Sequence, residues 1–308
     1  MKVGCIGLGG MGKPIASRIV EAGFEVTVRD VRQAPVNDLL RLGATSAGSA
    51  REVAAVSDVV LSSLSSLPAS REVALGEDGV LAGATPGDVY IETSTVGPGF
   101  IRDLAAAGEA RGVAVLDAPV SGGIAQREQG TLTVMVGGEA STLERVRPVL
   151  EAFGGRVIHA GPSGSGATVK LLNNLTAASN IVAAMEALVL GVKAGLRVEV
   201  IREVISSSSG ASRVFEAMVD NVMTRDPVPP EGQLARQGLH TLVKDVTLAC
   251  ELAREVSVPL LLGSATAQTY LAAEAAGLGD QENWALIKVL EELAGVSVRG
   301  DASGSDRA

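Results

Sequence analysis

A glycine-rich turn near the N-terminus constrains the fold more than any other feature of the sequence. It lies between a short β-branched run, residues 2–6, and a stretch with helical spacing, residues 11–22, and it fits the pattern G-x-G-x-x-G. In this pattern the first glycine permits a tight turn, the second lets a pyrophosphate approach the backbone, and the third lets the helix pack against the strand. The free N–H groups at the start of the helix then face the phosphates. We therefore expect the backbone of this turn to bind a dinucleotide through Gly7, Leu8, Gly9, Gly10, Met11 and Gly12.

An acidic residue completes the pattern. Asp30 follows the second strand candidate, residues 25–28, at the position where a carboxylate binds the ribose diol of adenosine. This carboxylate would repel a 2′-phosphate, which favours NAD as the cofactor. Arg29 and Arg32 flank Asp30 and could hold a phosphate, so NADP stays open. The same glycines and acid would also suit a methyltransferase that binds S-adenosylmethionine.

Up to about residue 160 the sequence alternates between β-branched runs and helical spacing. This alternation predicts βαβ units and a parallel sheet with right-handed crossovers. After the two strands already described, the strand candidates are residues 59–61, 89–91, 113–116, 132–136 and, more weakly, 157–158.

Strand signals end after the glycine- and serine-rich segment at residues 161–166. Helical patterns follow at residues 167–195, 199–206, 212–223, 234–255, 259–276 and 282–294. We therefore predict an α/β chain with a Rossmann-type, doubly wound parallel sheet and a second, all-α C-terminal domain. The predicted divisions are a NAD-binding domain at 1–162, a substrate and dimerisation domain at 163–296, and a flexible tail at 297–308.

The charge and hydropathy of the chain exclude several partners. A net charge of −9 disfavours binding to nucleic acid or to anionic membranes, which need a basic surface. The most apolar helical stretch, residues 177–192, is interrupted by polar residues and is shorter than the roughly 20 residues that span a bilayer. No signal-peptide pattern is present. We expect a soluble, cytoplasmic protein without a nucleic-acid or membrane partner.

Three further segments, together with the glycine-rich turn and its Met11, carry a family resemblance. They are the run DAPVSGG at residues 117–123 with GTLT and MVGG after it, the run GSG at 164–166 with Lys170 and Asn173-Asn174, and the pair Lys244-Asp245. Over about residues 1–295 the chain resembles the β-hydroxyacid dehydrogenases, the family of 3-hydroxyisobutyrate dehydrogenase and, more distantly, of 6-phosphogluconate dehydrogenase. The resemblance implies an oxidoreductase that transfers a hydride between NAD and a small 3-hydroxy carboxylate. It also implies a homodimer or homotetramer.

The resemblance assigns the substrate's acid group to one turn. Ser121, Gly122 and Gly123 follow a strand candidate, and the hydroxyl and backbone N–H groups of such a turn suit a carboxylate. Local sequence alone explains the same residues equally well as an ordinary strand-ending turn.

The resemblance assigns the proton chemistry to a lysine on the long helix. Lys170 and Asn174 are four residues apart and share one helix face, with Asn173 beside them. A free lysine has a pKa of about 10.4, and burial next to a positive nicotinamide ring would lower it towards neutrality. Lys170 is then the base that takes the hydroxyl proton, Asn174 orients the substrate and Asn173 is a further substrate ligand. A solvated helix lysine is the alternative on local sequence.

Four other residues are assigned to the cofactor by resemblance. Leu64, Ser65 and Thr95 follow strand candidates at the carboxyl edge of the predicted sheet. Lys244 matches a family lysine that approaches the cofactor near the active site. A surface lysine paired with the neighbouring Asp245 explains Lys244 equally well on spacing alone.

Several departures from the family leave the substrate open. Arg127 stands where family members usually have a small residue, and Asn283-Trp284 replaces a common Phe/Ser pair. Whether these residues shape the substrate pocket is not decided by the sequence. No cluster of histidine, cysteine or carboxylate has the spacing of a metal site, so no metal is expected.

Two alternatives to the main hypothesis stay open at this point. One is a relative that reduces imines, glyoxylate, succinic semialdehyde or a sulfonated semialdehyde with NADPH. The other is a non-catalytic NAD-binding sensor, although the presence of Lys170 argues against a silent protein.

Overall fold

The computed structural model describes residues 1–230, 235 and 238–299. The chain forms two compact units, of which the first is Met1–Leu171 and the second begins at Leu172. The division lies inside a long helix rather than in the glycine- and serine-rich segment at 161–166. The start of this helix therefore belongs to the first unit, together with the sheet.

Nine strands in the described part of the chain form one sheet. They are β1 (Lys2–Ile6), β2 (Glu25–Arg29), β3 (Thr45–Ser46), β4 (Val59–Ser62), β5 (Val89–Glu92), β6 (Ala114–Asp117), β7 (Val120–Ser121), β8 (Leu132–Gly137) and β9 (Gly154–Gly161). Their order is β3-β2-β1-β4-β5-β6-β8-β7, and β9 pairs with β8. The order reverses beside β1, as in a doubly wound sheet.

The sheet is parallel from β3 to β6, which confirms the α/β prediction. Beyond β6 the sheet is mixed, because β8 runs antiparallel to both β6 and β7 and parallel to β9. The only helix between β6 and β8 is Ile124–Gln129, which has six residues. Such a helix is about 9 Å long, too short to carry the chain back along a full strand.

Eight helices of the described residues connect the strands of the first unit. They are α1 (Gly12–Glu21), α2 (Gln33–Arg41), α3 (Ala50–Ala55), α4 (Leu67–Leu75), α5 (Val80–Gly83), α6 (Pro98–Glu109), α7 (Ile124–Gln129) and α8 (Ala140–Glu151). Successive apolar residues along a strand pack in different cores, so both faces of the sheet are covered. On β4, for example, Val59 and Leu61 lie in one apolar core and Val60 in the other.

The remaining described helices are α9 (Ser165–Lys193), α10 (Val198–Ser206), α11 (Arg213–Thr224), α12 (Leu239–Glu255), α13 (Leu261–Ala273) and α14 (Ile287–Ala294). A π-helical turn, Glu274–Leu278, follows α13, and a 3₁₀ turn, Asn283–Leu286, precedes α14. The second unit contains no strand longer than an isolated bridge among its described residues, so the all-α prediction is confirmed.

Two predicted boundaries in the second unit differ from the structure. The helix expected at 234–255 begins at Leu239, because Gly238 pairs with Glu282 in an isolated bridge; residue 234 lies outside the described residues. Most of the tail expected at 297–308, from residue 300 onward, also lies outside them. Val298 is buried, and its N–H donates to Glu291 Oε1 at 2.6 Å.

Helix α9 corrects the argument against a membrane span. It has 29 residues and a mean hydropathy of 1.7 over its most apolar window, so it is long and apolar enough to cross a bilayer. Its later turns, however, bury Ala178, Ile181, Met185 and Leu188 in the apolar core of the second unit. These contacts are those of a core helix.

Candidate active site

Packing within the protein explains two glycines of the turn between β1 and α1. Gly7 has a φ of +82°, which favours glycine, and a Cβ on Gly12 would lie 1.8 Å from the carbonyl oxygen of Gly7. Helix α1 can therefore begin this close to β1 only if residue 12 has no side chain.

At position 9, no close contact among the described residues requires a glycine. A Cβ added there would meet no atom closer than Arg32 Nη2, at 4.0 Å. The missing side chain instead leaves the backbone open at the start of α1, where N–H groups and the helix dipole favour a phosphate. The turn therefore fits the pyrophosphate of a dinucleotide.

Asp30 holds this turn against the end of β2. Its Oδ2 accepts the N–H of Leu8 at 2.6 Å, and its Oδ1 accepts the backbone N–H of Arg32 at 2.8 Å and Arg32 Nε at 3.1 Å. Burial alone would raise the pKa of Asp30, but these hydrogen bonds and the Arg32 charge hold that pKa below its usual value. Asp30 is thus an ionised acceptor at the position expected for a ribose diol.

The two arginines beside Asp30 bind within the protein. Arg29 Nε donates to the carbonyl oxygen of Gly48 at 2.8 Å. Arg32 pairs with Asp30, and its Nη2 donates to the carbonyl oxygen of Leu8 at 3.2 Å. Because both guanidinium groups have partners and Asp30 is ionised, the geometry favours NAD over NADP.

The structure also brings Leu64 to the dinucleotide turn. A Cβ on Gly7 would lie 2.8 Å from Leu64 Cδ2, so the two residues are in contact. The N–H of Leu64 donates to Ser94 Oγ at 2.7 Å, which joins the loops that follow β4 and β5. Ser65 is exposed and Thr95 is half-buried in these same loops.

A buried polar network lies beneath these two loops. Glu92 Oε1 accepts the N–H of Ser94 at 2.9 Å, and Tyr90 OH lies 3.3 Å from Glu92 Oε2 and 2.7 Å from Ser62 Oγ. Glu92, Tyr90 and Ser62 are completely buried. Burial raises the pKa of Glu92, against the lowering effect of the Ser94 and Ser62 hydrogen bonds. Sequence analysis missed Glu92 and Ser94, although an acidic residue at the end of an otherwise apolar strand was the available signal.

A second buried carboxyl group fixes the start of α9. Asp117, at the end of β6, is 1% exposed and accepts the N–H groups of Gly164 at 2.8 Å and Ala167 at 2.7 Å. Burial raises the pKa of Asp117, against the lowering effect of these N–H groups. A Cβ on Gly166 would lie 2.3 Å from the carbonyl oxygen of Met135, so the helix starts in direct contact with the sheet. This contact explains Gly166, and a φ of +91° explains Gly164.

Lys170 lies on α9, three residues after Ala167, whose N–H donates to Asp117. Lys170 is half-buried. It belongs to the first unit, as do the dinucleotide turn and the predicted carboxylate turn. Asp117 therefore links the helix that carries Lys170 to the chain segment that leads into Ser121.

The predicted carboxylate turn begins on β7. Ser121 pairs with Thr133 of β8 and is half-buried. A Cβ on Gly122 would lie 2.6 Å from Leu132 Cδ2, so the turn packs closely on β8. The N–H of Gly123 donates to Gln126 Oε1 at 2.8 Å and already has a partner. Of the three residues, Ser121 and Gly122 are the better candidates for a carboxylate.

In the second unit the remaining predicted residues meet at one buried carboxylate. Asp245 Oδ2 accepts Asn174 Nδ2 at 2.6 Å, and its Oδ1 accepts Lys244 Nζ at 2.7 Å. Asn173 is exposed, and its Nδ2 donates to Asn174 Oδ1 at 3.0 Å. The amide of Asn174 is therefore held by hydrogen bonds on both its nitrogen and its oxygen.

Asp245 is a functional candidate that sequence analysis treated only as a partner of Lys244. It is 2% exposed on α12, on the same side as the buried Ala249. An acidic side chain at helical spacing within a buried stripe rarely occurs without partners, and that spacing was the available signal. Its partner Asn174 could not be found in this way, because 71 residues separate the two.

The residues that depart from the family lie in different places. Trp284 is 6% exposed and packs in the apolar core of the second unit, and Asn283 beside it is 4% exposed. Arg127 belongs to the first unit, where its Nη1 donates to the carbonyl oxygen of Gly10 at 2.8 Å. Within the described residues, no group of histidine, cysteine or carboxylate side chains is arranged to hold a metal ion.

Two family models match nearly the whole chain. The NAD binding domain of 6-phosphogluconate dehydrogenase matches residues 2–161, and the NAD-binding domain of NADP-dependent 3-hydroxyisobutyrate dehydrogenase matches residues 164–290.

Individual relatives agree with these matches. The 2-(hydroxymethyl)glutarate dehydrogenase of Eubacterium barkeri is 38% identical over 97% of this chain and 98% of its own length. The NAD-dependent L-serine dehydrogenase of Pseudomonas aeruginosa is 38% identical over 87% of this chain and 91% of its own. A solved structure of the Mycobacterium tuberculosis 3-hydroxyisobutyrate dehydrogenase with L-serine is 33% identical, with a TM-score of 0.84 over 94% of this chain and 98% of that one.

The doubly wound sheet, the dinucleotide turn and these matches define a nicotinamide-dependent oxidoreductase. More narrowly, the chain belongs to the 3-hydroxyisobutyrate dehydrogenase family, within the wider group that includes 6-phosphogluconate dehydrogenase. It is an NAD-dependent hydroxyacid dehydrogenase.

Proposed function

We propose that the chain catalyses the reversible oxidation of a small 3-hydroxy carboxylate, similar to 3-hydroxyisobutyrate, to its semialdehyde with NAD. Relatives at 36–38% identity are named for 2-(hydroxymethyl)glutarate, L-serine and 3-hydroxyisobutyrate. These three acids differ at carbon 2 and share a hydroxyl group on carbon 3. A site that reads the carboxylate and the 3-hydroxyl group would accept all three.

In this proposal Lys170 takes the proton of the substrate hydroxyl group, and returns it in the reducing direction. The assignment rests on the two hydrogen bonds that Asp117 accepts from the N–H groups of Gly164 and Ala167, because they fix the helix of Lys170 to the strand that leads into Ser121. Ser121 and Gly122, with Gly123 behind them, bind the substrate carboxylate through a hydroxyl and a backbone N–H. When bound, NAD supplies the acceptor for the hydride.

Asn174 follows Lys170 by about one helical turn, and we assign it to orienting the substrate hydroxyl group. Its amide is held by Asp245 and by Asn173, so its direction is fixed before the substrate binds. Such fixed donors contribute to catalysis because no further ordering is needed at the moment of reaction. Asn173, which is exposed, is assigned as a further substrate ligand.

We assign the cofactor to the dinucleotide turn, to Asp30, to the loops after β4 and β5, and to Lys244. The N–H groups after Gly9 bind the pyrophosphate and Asp30 binds the adenosine ribose. The full set of proposed cofactor residues is Gly7, Leu8, Gly9, Gly10, Met11, Gly12, Asp30, Leu64, Ser65, Thr95 and Lys244.

The proposal includes a homo-oligomer, a dimer or a tetramer, in the cytoplasm. Leu190 on α9 and Leu293 on α14 are 71% and 80% exposed and line one apolar groove of the second unit. Exposed apolar patches of this kind favour association between copies. Both cysteines are free, as is usual in a reducing compartment. Light scattering after gel filtration measures the mass, and a monomer at micromolar concentration would contradict the oligomer.

A substrate screen tests the function. Purified protein is incubated with 3-hydroxyisobutyrate, L-serine, glycerate and 3-hydroxypropionate, each with NAD and with NADP, while the absorbance of the reduced nicotinamide is followed. We expect NAD-linked turnover of at least one 3-hydroxy acid, and a loss of about a hundredfold in kcat/KM for the Ser121→Ala variant. Turnover of aldehydes or imines with NADPH alone would overturn the proposal, and so would NADH binding without any turnover.

A further inference from the structure

Arg127 lies against the dinucleotide turn, although it follows the turn by more than a hundred residues. It belongs to the short helix α7, and its Nη1 donates to the carbonyl oxygen of Gly10 at 2.8 Å. A Cβ on Gly10 would lie 3.7 Å from the same nitrogen. We propose that Arg127 is a direct ligand of the cofactor pyrophosphate and that it closes the turn from the side of α7.

The guanidinium group of Arg127 has one donor that lacks an acceptor. Arg127 Nε is buried and has no hydrogen-bond partner among the described residues. No acidic side chain in the described part of the chain forms a salt bridge with this guanidinium group. A charged donor that is shielded from water and lacks an acceptor is unfavourable. An anionic ligand at this position would supply the acceptor and the opposite charge together.

The second argument is the shape of the guanidinium group. Its Nη1 is used by the carbonyl oxygen of Gly10, which leaves the edge formed by Nε and Nη2. These two nitrogens carry parallel N–H groups, and this edge binds carboxylate or phosphate oxygens in a bidentate manner. The donor that lacks a partner therefore belongs to the edge that suits a phosphate.

The third argument is the surrounding charge. Helix α1 has no acidic residue in its first turn, so none of its own carboxylates neutralises its N-terminus. Gly9 leaves the backbone open at the same place. A pyrophosphate bound to these N–H groups would thus lie beside a cation that has no other counter-charge in the described residues.

If the proposed function holds, a phosphate on Arg127 would also affect the turn that binds the substrate carboxylate. Helix α7 begins directly after Gly123, the last residue of the carboxylate turn. A phosphate held by Arg127 would therefore also fix the helix that follows Ser121.

A second arginine provides a matched control. Arg18 on α1 also reaches α7, where its Nη2 donates to the carbonyl oxygen of Glu128. Arg18 thus fastens α7 to α1, whereas Arg127 fastens α7 to the turn that precedes α1. Replacing either one by methionine keeps an unbranched apolar stem and removes the charge and the donors.

The experiment is a calorimetric titration of wild type, Arg127→Met and Arg18→Met with NADH, ADP-ribose and adenosine, at low and at physiological salt. For Arg127→Met we expect affinities for NADH and ADP-ribose to fall by about tenfold to a hundredfold, the loss of one charge-assisted bidentate pair. Adenosine affinity should stay within about twofold, since adenosine has no phosphate. Arg18→Met should change none of the three ligands by more than this factor. The effect of Arg127→Met should shrink at the higher salt concentration.

Three results would overturn the inference. One is an equal loss for both variants, which would make Arg127 a tether only. Another is an equal loss for adenosine and ADP-ribose. The third is unchanged ADP-ribose binding with a raised KM for the hydroxy acid, which would assign Arg127 to the substrate. If Arg127→Met does not melt cooperatively, Arg127→Lys replaces it, and this variant should lose several-fold in ADP-ribose affinity because lysine cannot bind in a bidentate manner. Wild-type protein that binds neither NADH nor ADP-ribose would instead contradict the proposed function.

Discussion

The two tyrosines of the chain show how differently its two units use buried polar groups. Tyr90 in the first unit and Tyr270 in the second are both completely buried. The hydroxyl group of Tyr90 is hydrogen-bonded to Ser62 and lies near Glu92. The hydroxyl group of Tyr270 has no hydrogen-bond partner among the described residues. The first tyrosine is part of a network that holds loops, and the second is a packing residue of an apolar core.

Buried carboxyl groups repeat the same contrast. Glu92 and Asp117 in the first unit accept backbone N–H groups and so fix the course of the chain. Asp245 in the second unit accepts only side-chain donors, those of Asn174 and Lys244, in the hydrogen bonds described. The first unit therefore positions backbone for a cofactor, and the second positions individual side chains. Four sets of variants test this comparison.

The largest effect is expected at Gly9. A Cβ at this position would meet only the end of the Arg32 side chain, at 4.0 Å, so Gly9→Ala should fold and melt as the wild type does. It should still lose about a hundredfold or more in NADH affinity, because the methyl group occupies the space of the pyrophosphate. Fluorescence titration with NADH and a thermal melt measure the two quantities.

Two other glycines serve as comparisons for Gly9. A Cβ on Gly12 would lie 1.8 Å from the carbonyl oxygen of Gly7, so Gly12→Ala should lose thermal stability as well as NADH binding. Gly99, at the start of α6, has only Arg102 Nη2 near its Cβ position, at 3.9 Å, and Gly99→Ala should change neither property. If Gly9→Ala binds NADH as tightly as the wild type, the assignment of the turn is wrong.

The next effect is expected at Asp245. Asp245→Ala removes the acceptor of Asn174 and the counter-charge of Lys244, so kcat/KM should fall by about a hundredfold. Asp245→Asn keeps a carbonyl acceptor for Asn174 and should retain more activity. The loss should appear mainly in kcat for the hydroxy acid, while NADH binding to the first-unit turn changes little. Steady-state kinetics with both substrates separate these parameters.

A matched acid in the same unit controls for loss of charge. Asp220 pairs with Arg202 on the surface, and Asp220→Ala should leave kcat/KM unchanged. Equal kinetics for Asp245→Ala and the wild type would show that the contacts of Asn174 do not matter for catalysis.

A smaller, pH-dependent effect is expected at Glu92. Burial raises the pKa of Glu92 above that of the unfolded chain, about 4.3. A raised folded pKa stabilises the protein fully below the unfolded value, and this stabilisation is lost as the pH rises through the folded value. Glu92→Gln stays neutral, so its melting temperature relative to the wild type should rise between pH 5 and pH 9. A difference that is constant with pH, or that falls, would contradict a raised pKa for Glu92.

The smallest effects are expected for the tyrosines. Tyr90→Phe removes one hydrogen-bond partner from Ser62 and one from Glu92, and it should cost about 1–2 kcal/mol in the free energy of unfolding. Tyr270→Phe removes a hydroxyl group that has no partner in the described structure, so the change should lie between zero and a slight stabilisation. Chemical denaturation measures both. An equal cost for the two variants would remove the contrast between the units.

The sequence predicted the first unit well because its signals are local. Gly7 reflects a positive φ angle and Gly12 a close contact with Gly7, and the strands alternate with helices of ordinary length. The strands β3 and β7 have two residues each, which is too short a pattern to detect. The reversal of β8 depends on the length of α7, and no apolar periodicity marked that helix.

The second unit shows where such prediction ends. Helix α12 was expected from its spacing, but its start at Leu239 depends on the bridge between Gly238 and Glu282. The hydrogen bond between Asn174 and Asp245 joins two helices through side chains that are far apart in the sequence. In the first unit, the contact between Arg127 and Gly10 likewise joins residues that are far apart in the sequence. Tertiary packing alone determines these pairs.

The most direct test of the account concerns Lys170. Wild type and Lys170→Ala are compared for NADH formation from a 3-hydroxy acid that the wild type oxidises, and for NADH binding by fluorescence. The account predicts that turnover falls at least about a thousandfold, as expected when a general base is lost, while the dissociation constant for NADH changes less than about threefold. A variant that keeps a tenth or more of the wild-type turnover, as a rough limit, would show that another group moves the proton.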